Sequence, residues 1–131
     1  RGAEIELTTQ LDPHLAPAAI DAEQIKRAIV NLVDNAIEAF APDAADREVI
    51  IKTRNDAARG LIVIEVADNG TGFSPADIQK LFQPYFSTKS RGTGLGLAIV
   101  HRIIADHGGR IYALANQPRG ARFVIELPAS V

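Results

Sequence analysis

Apolar positions along the chain alternate between a period of two and a period near 3.6. Residues 4–11 alternate loosely, with Ile5, Leu7 and Leu11 apolar, and read as a strand. Asp21 stands where a helix N-cap belongs, and Gln24 three residues later completes a capping-box pattern. Ile25, Ile29, Leu32, Val33, Ala36, Ile37 and Phe40 follow at helical spacing, one stripe for a core, and Pro42 closes that helix. Residues 49–54 and 61–67 are β-branched runs joined by a polar stretch ending at Gly60, which predicts a hairpin. Ser74 followed by Pro75 marks a second helix start. Residues 83–93 carry no regular period and predict a long mobile loop. A further helix is expected over 94–107, stopping at Gly108 and Gly109. Residues 110–115 and 121–127 make a last strand pair around 116–120. That order predicts a two-layer α/β (α+β) sandwich, a mixed and mostly antiparallel sheet packed on about three helices.

Composition narrows the picture. A chain of 131 residues without internal repeats fits one domain, 1–131, and buries roughly two thirds of its unfolded surface. With no Trp and only 5% aromatic residues, its core must be mostly Ile, Leu, Val and Ala. A net charge of -2 gives no electrostatic reason to expect nucleic acid or anionic lipid as partners. The absence of Cys excludes disulfides and thiolate metal sites and suits a reducing compartment. No apolar run approaches the ~20 residues of a membrane span, and the start lacks the apolar stretch of a signal peptide. The first residue is Arg1 rather than Met, which suggests a fragment of a longer polypeptide. The expected location is cytoplasmic, within a parent that can be anchored in the inner membrane.

Four motifs carry candidate chemistry. Asn31, Asn35 and Glu38 fall in a narrow arc of the first long helix, off its apolar stripe. Carboxamides at i and i+4 can hold a hard cation or its waters, or they can simply solvate the helix face. Asp68 closes an apolar strand and is followed by Gly70 and Gly72. A carboxylate there can point into a pocket floored by bare backbone and accept from an exocyclic amine such as adenine's; the bland alternative is an Asx turn. The cluster Gly92, Thr93, Gly94, Leu95, Gly96, Leu97 opens the last long helix. Its glycines allow close approach of a phosphate to a helix N-terminus, or they serve as hinge residues. No Gly-Lys-Ser/Thr triplet follows, so this is not a Walker loop. Between these two clusters, Phe82, Tyr85 and Phe86 read as a lid packing on something apolar or as loop anchors, the latter favoured for Phe82. Lys89 and Arg91 can reach ligand phosphates or remain solvated lid charges.

Taken in order, these motifs resemble the catalytic ATP-binding domain of sensor histidine kinases, in the superfamily shared with gyrase B, Hsp90 and MutL. Residues 31–39 match its N box, 68–72 the first glycine box, 81–86 the phenylalanine box and 92–97 the second glycine box. The wording of residues 84–89 is closest to nitrogen-regulation-type kinases. The resemblance implies the Bergerat fold with a mobile ATP lid over 73–92, and Mg²⁺ and ATP as ligands. It implies that Asn35 coordinates Mg²⁺ and that Asn31 supports the phosphate end. It also implies that Asp68 binds the adenine amine, with Gly70, Gly72 and Phe73 shaping that pocket. Gly92, Thr93, Gly94, Leu95, Gly96 and Leu97 would hold phosphates. Glu38 occupies the turn where many such kinases carry a basic phosphate contact, and Lys89 or Arg91 would supply that charge.

The function implied is transfer of the γ-phosphate of Mg-ATP to a histidine on a separate helical dimerisation domain, for relay to an Asp of a response regulator receiver domain. No catalytic residue is expected within the chain, because His14, His101 and His107 read as surface or capping residues. The isolated chain is therefore expected to bind ATP but show almost no phosphorylation alone, and this domain is expected to make no direct membrane contact. The alternatives are a gyrase- or Hsp90-like ATPase, an anti-sigma-type serine kinase, and a nucleotide-responsive interaction module without catalysis. ATPase relatives place a Glu base where this chain has Asn31, and a carboxamide has no usable basicity.

Overall fold

The computed structural model describes residues 4–84, 86 and 95–130. Five strands, β1 (Ile5–Gln10), β2 (Arg47–Asp56), β3 (Leu61–Asp68), β4 (Arg110–Ala115) and β5 (Ala121–Pro128), form one sheet in the order β1-β2-β3-β5-β4. β1 runs parallel to β2, and the remaining neighbours are antiparallel. Two long helices, α1 (Ala22–Ile37) and α3 (Gly96–Asp106), pack on each other and against the sheet, and the single-turn α2 (Pro75–Ile78) follows β3. The expected two-layer sandwich is thus observed. Its helices lie on one face only, and β3 shows how: Ile62, Ile64 and Val66 join the core beneath the helices, while Val63, Glu65 and Ala67 face the other way.

Asp21 caps α1, its carboxylate accepting from the N–H groups of Glu23 at 3.1 Å and Gln24 at 3.3 Å. The reciprocal half of the expected capping box is not formed with Gln24. Asp21 instead donates its own N–H to Nε2 of His107 at 3.0 Å, and Nδ1 of the same ring lies 2.7 Å from the carbonyl of Ile103. An accepting Nε2 puts the ring proton on Nδ1, where it donates to that carbonyl. The ring therefore ties the end of α3 to the start of α1.

The α1 stripe also differs from expectation. Ile37 is 43% exposed, whereas Ala28 and Ala39 are fully buried. The helix stops at Ile37, five residues before Pro42, because the chain tightens there: Ala39 N–H bonds to Ala36 O and turns out of the helix. Small residues then occupy the places of closest approach to neighbouring backbone. β2 is longer than its apolar run, since the ladder pairs Ile5 with Arg47 and Asp56 with Leu61 regardless of side-chain polarity. α3 begins at Gly96 and ends on His107 with Gly108 at φ 73°, the stop that the glycine pair predicts. Position 94 and most of the expected 83–93 loop lie outside the described residues.

On the face away from the helices, Glu126 is only 3% exposed. Its oxygens accept from Arg59 Nη2 at 2.8 Å, Arg110 Nε at 2.7 Å and the Tyr112 hydroxyl at 3.1 Å. The Arg59 bond, helped by Arg110 and Tyr112, outweighs burial and holds the carboxyl at about 2 against an ordinary 4.5. Burial, then the bond to Glu126, pushes the Tyr112 hydroxyl up. A depressed carboxyl stabilises the fold fully above its unfolded value and loses that contribution as pH falls towards its folded value. Between about pH 5 and pH 2 the wild-type chain is expected to lose on the order of 1–2 kcal/mol more than Glu126→Gln, a figure kept small because both guanidiniums are solvent-accessible. Chemical denaturation across that range measures it; parallel curves would show that the pair contributes nothing.

Candidate functional site

Alternation along β3 places Asp68 on the same face as Ile64 and Val66, so its side chain enters the helix side of the sheet. It is 2% exposed. Its Oδ1 accepts from the N–H of Gly70 at 2.9 Å and of Ala121 at 3.3 Å. The following residues are sewn to two other elements. Asn69 accepts from Glu48 N–H at 2.8 Å and donates to Asp46 O at 3.1 Å, which pins the turn to the start of β2. Thr71 directs both its N–H and its hydroxyl at Ala39 O, each at 3.1 Å. Gly70 packs so closely on Ala39 that a Cβ there would come within 2.8 Å of the Ala39 carbonyl.

A third support comes from the turn between β4 and β5. Asn116 Nδ2 donates to Asp68 O at 2.8 Å, and Arg119 Nε donates to Asn69 O at 2.9 Å. Gly120, at φ 105°, lies against Asp68 where any Cβ would overlap the Asp68 carbonyl. Gly72 backs onto Gly120 from the other side. Asn116, Arg119 and Gly120 do not figure among the residues singled out from the sequence. An Asn and a Gly between two strands are ordinary hairpin residues, and nothing local distinguishes these two.

Asn31 and Asn35 are half-buried on α1 beside the fully buried Leu32 and Ala36, while Glu38 is exposed. Asn35 lies in the last turn of α1 and Ala39 just past its end, and Ala39 is the residue that holds Gly70 and Thr71. The carboxamide and the Asp68 turn therefore belong to one end of the molecule. Tied at the start of α1 by His107 and packed along it, α3 runs back in the opposite direction. Its 11 residues run back along about two thirds of the length of the 16-residue α1. Leu95 at the N-cap position has no polar side-chain atom to cap with, Gly96 has open space where a Cβ would stand, and Leu97 is buried in the core.

Phe73 packs edge-on against Phe123 with ring centres 6.3 Å apart. Phe82 does the same at 6.2 Å and also lies on the ring of His101, so it anchors the chain to the core. Lys89, Gly92, Thr93 and Gly94, together with Tyr85 and Arg91, lie outside the described residues. Among the described residues no group of three or more His, Cys, Asp or Glu could hold a metal. A divalent ion at Asn35 would therefore lean on ligand phosphates and water. Mg²⁺ commonly binds in that way, and the donor set fits it. The same residues fit a nucleotide triphosphate, with a buried carboxylate at one side and an open helix start at the other.

The family model for histidine kinase-, DNA gyrase B- and HSP90-like ATPases matches residues 20–131. The sensor protein FixL of Bradyrhizobium diazoefficiens is 41% identical over 130 residues, 99% of this chain and 25% of FixL. Full-length ShkA in complex with AMPPNP superposes with a TM-score of 0.83 at 28% identity, over 97% of this chain and 26% of that one. Histidine kinase ThkA in complex with response regulator protein TrrA superposes at 0.77 with 29% identity, over 96% of this chain and 34% of that one. The chain spans about a quarter of the length of the curated relatives it matches.

Gly120→Ala combines a left-handed backbone with overlap against Asp68, and is expected to destabilise the chain by about 2 kcal/mol or more. Thermal unfolding measures it. A melting temperature equal to that of the wild type would mean that the turn does not press on the strand end.

Proposed function

The chain belongs to the family of histidine kinase-, DNA gyrase B- and HSP90-like ATPases, and on that basis we propose that it is the Mg-ATP-binding catalytic domain of a two-component sensor histidine kinase. The observation that carries this reading is the Asp68 carboxylate, buried at the end of β3 and oriented by two backbone N–H groups, beside a turn sewn to Ala39 just past the end of α1, four residues beyond Asn35. A carboxylate so held accepts from the adenine amine and repels the oxygen that guanine presents there. Gly70, Gly72 and Phe73 form the surrounding wall. The phosphates extend towards Leu95, Gly96 and Leu97, where the first N–H groups of α3 and its dipole favour anions. Asn31 and Asn35 face them from α1. Asn35 would hold Mg²⁺, which would neutralise phosphate charge when bound.

The reaction requires little covalent chemistry from this domain. Positioning the γ-phosphoryl group in line with its acceptor supplies most of the catalysis. The acceptor is a neutral imidazole nitrogen on a helical dimerisation domain outside this chain. Its lone pair forms the N–P bond as the bond to the β-phosphate oxygen breaks, and the electron pair leaves with ADP. The phosphoryl group then passes to an aspartate of a response regulator. None of the chain's own histidines takes the acceptor role. His107 is engaged at both ring nitrogens and His101 stacks on Phe82. Asn31 argues against hydrolysis as the designed outcome, because a carboxamide cannot activate water. Among the described residues no helix is long and apolar enough to cross a membrane.

Asn35→Ala is expected to abolish Mg²⁺-dependent ATP binding, measured by calorimetry, while thermal unfolding stays near wild type because the side chain is off the buried stripe. Unchanged affinity would remove Asn35 from the site. Asp68→Asn is expected to weaken ATP binding by on the order of 1–3 kcal/mol and to erase preference over GTP. Equal ATP and GTP affinities in the wild type would already contradict the role given to the carboxylate.

A further inference from the structure

The antiparallel ladder between β3 and β5 has its last pair at Ala67 and Arg122, one residue short of Asp68. Beyond that pair the hydrogen bonds are redistributed. The N–H of Ala121 goes to the carboxylate Oδ1 of Asp68, and the Asp68 carbonyl is served by the side-chain amide of Asn116. The next carbonyl, of Asn69, takes the Arg119 guanidinium. Both side chains stand on the β4–β5 turn, whose own closure is the bond from Asn116 N–H to Gly120 O at 3.0 Å. Gly120 then presses on the Asp68 peptide from below, so the strand end is held from several directions at once.

From this exchange we propose that Asn116 and Arg119 are positioning residues for base recognition, acting through Asp68. The inference rests on the adenine-binding role proposed above for that residue. By satisfying the Asp68 carbonyl, Asn116 leaves the Ala121 N–H to orient the carboxylate. Without the Asn116 amide a nearly buried carbonyl loses a donor, and the Ala121 N–H already at the same strand end is drawn towards it. The carboxylate then rotates, and a hydrogen bond to a ligand amine weakens steeply with angle. Arg119 acts one peptide further on, fixing the plane of the Asn69 carbonyl and through it the Gly70 N–H on the other side of Oδ1. The turn thus sets how strictly the site selects an amine at the purine 6-position, without contributing a group to the nucleotide pocket wall.

Calorimetric titration of the 131-residue chain with ATP and with purine riboside triphosphate, which carries hydrogen in place of the 6-amine, tests this with Mg²⁺ present. In the wild type ATP is expected to bind on the order of tenfold more tightly than the analogue. In Asn116→Ala that ratio is expected to fall to about two- to threefold, with affinity for the analogue little changed. Arg119→Ala should lower it part of the way. A wild type that does not distinguish the two ligands defeats the adenine role of Asp68 and this proposal with it. A wild type that distinguishes them, with both variants keeping the full ratio, overturns the proposal alone. A purely structural role would weaken both ligands together and leave the ratio unmoved, which also overturns it. If Asn116→Ala does not fold, the exposed Arg119→Ala decides by the same ratio.

Discussion

Removing a carboxylate from water costs several kcal/mol unless donors replace the lost hydration, and the burial of Asp68 is the constraint around which this end of the molecule is arranged. Its donors, Gly70 N–H and Ala121 N–H, belong to segments about 50 residues apart, so they meet only if the turn after β3 and the start of β5 are held in one geometry. Ala39 holds the first segment through Thr71, and the β4–β5 turn brings in the second. Where backbones approach this closely there is no room for a side chain, which accounts for glycine at 70 and 120. The polar site and the packing of α1 on the sheet are therefore the same set of contacts.

The opposite face of the sheet solves a different problem. Val63 and Val124 point away from the helices and are nonetheless buried. They pair across the strands with Glu126 and Glu65, so acidic and aliphatic residues alternate over that face. Arg59 and Arg110 reach Glu126, and Arg122 reaches Glu65. The guanidiniums of these arginines remain partly in water while pairing with the acids. A layer of long side chains closes the face where another fold would place more helices. One helical layer is enough, and it is the layer that carries the site.

The two long helices pack along each other and are tied at one end by a single ring. His107 accepts from the backbone of Asp21 and bonds to Ile103 within its own helix, so the start of α1 and the end of α3 are joined. The start of α3 and the carboxamides of α1 belong to one packed helix pair, although more than 60 residues separate them in the chain.

The residues by themselves determined the order of elements, the caps at Asp21 and Ser74, the stop at Gly108, the strand ending in Asp68 and, through four ordered motifs, the family. Each depends on chemistry within a few residues: a side-chain oxygen accepting from the next turn, a proline fixing φ, an apolar run alternating along a strand. Tertiary structure alone decided that Ile37 would be exposed and Ala39 buried, that His107 rather than Gln24 would complete the α1 cap, and that Asn116 and Gly120 would meet the backbone of Asp68. The hydrogen bonds among them join residues 32 to 86 positions apart. A local period reports which side of its own element a residue faces, and carries no record of the backbone group from another element that will arrive there.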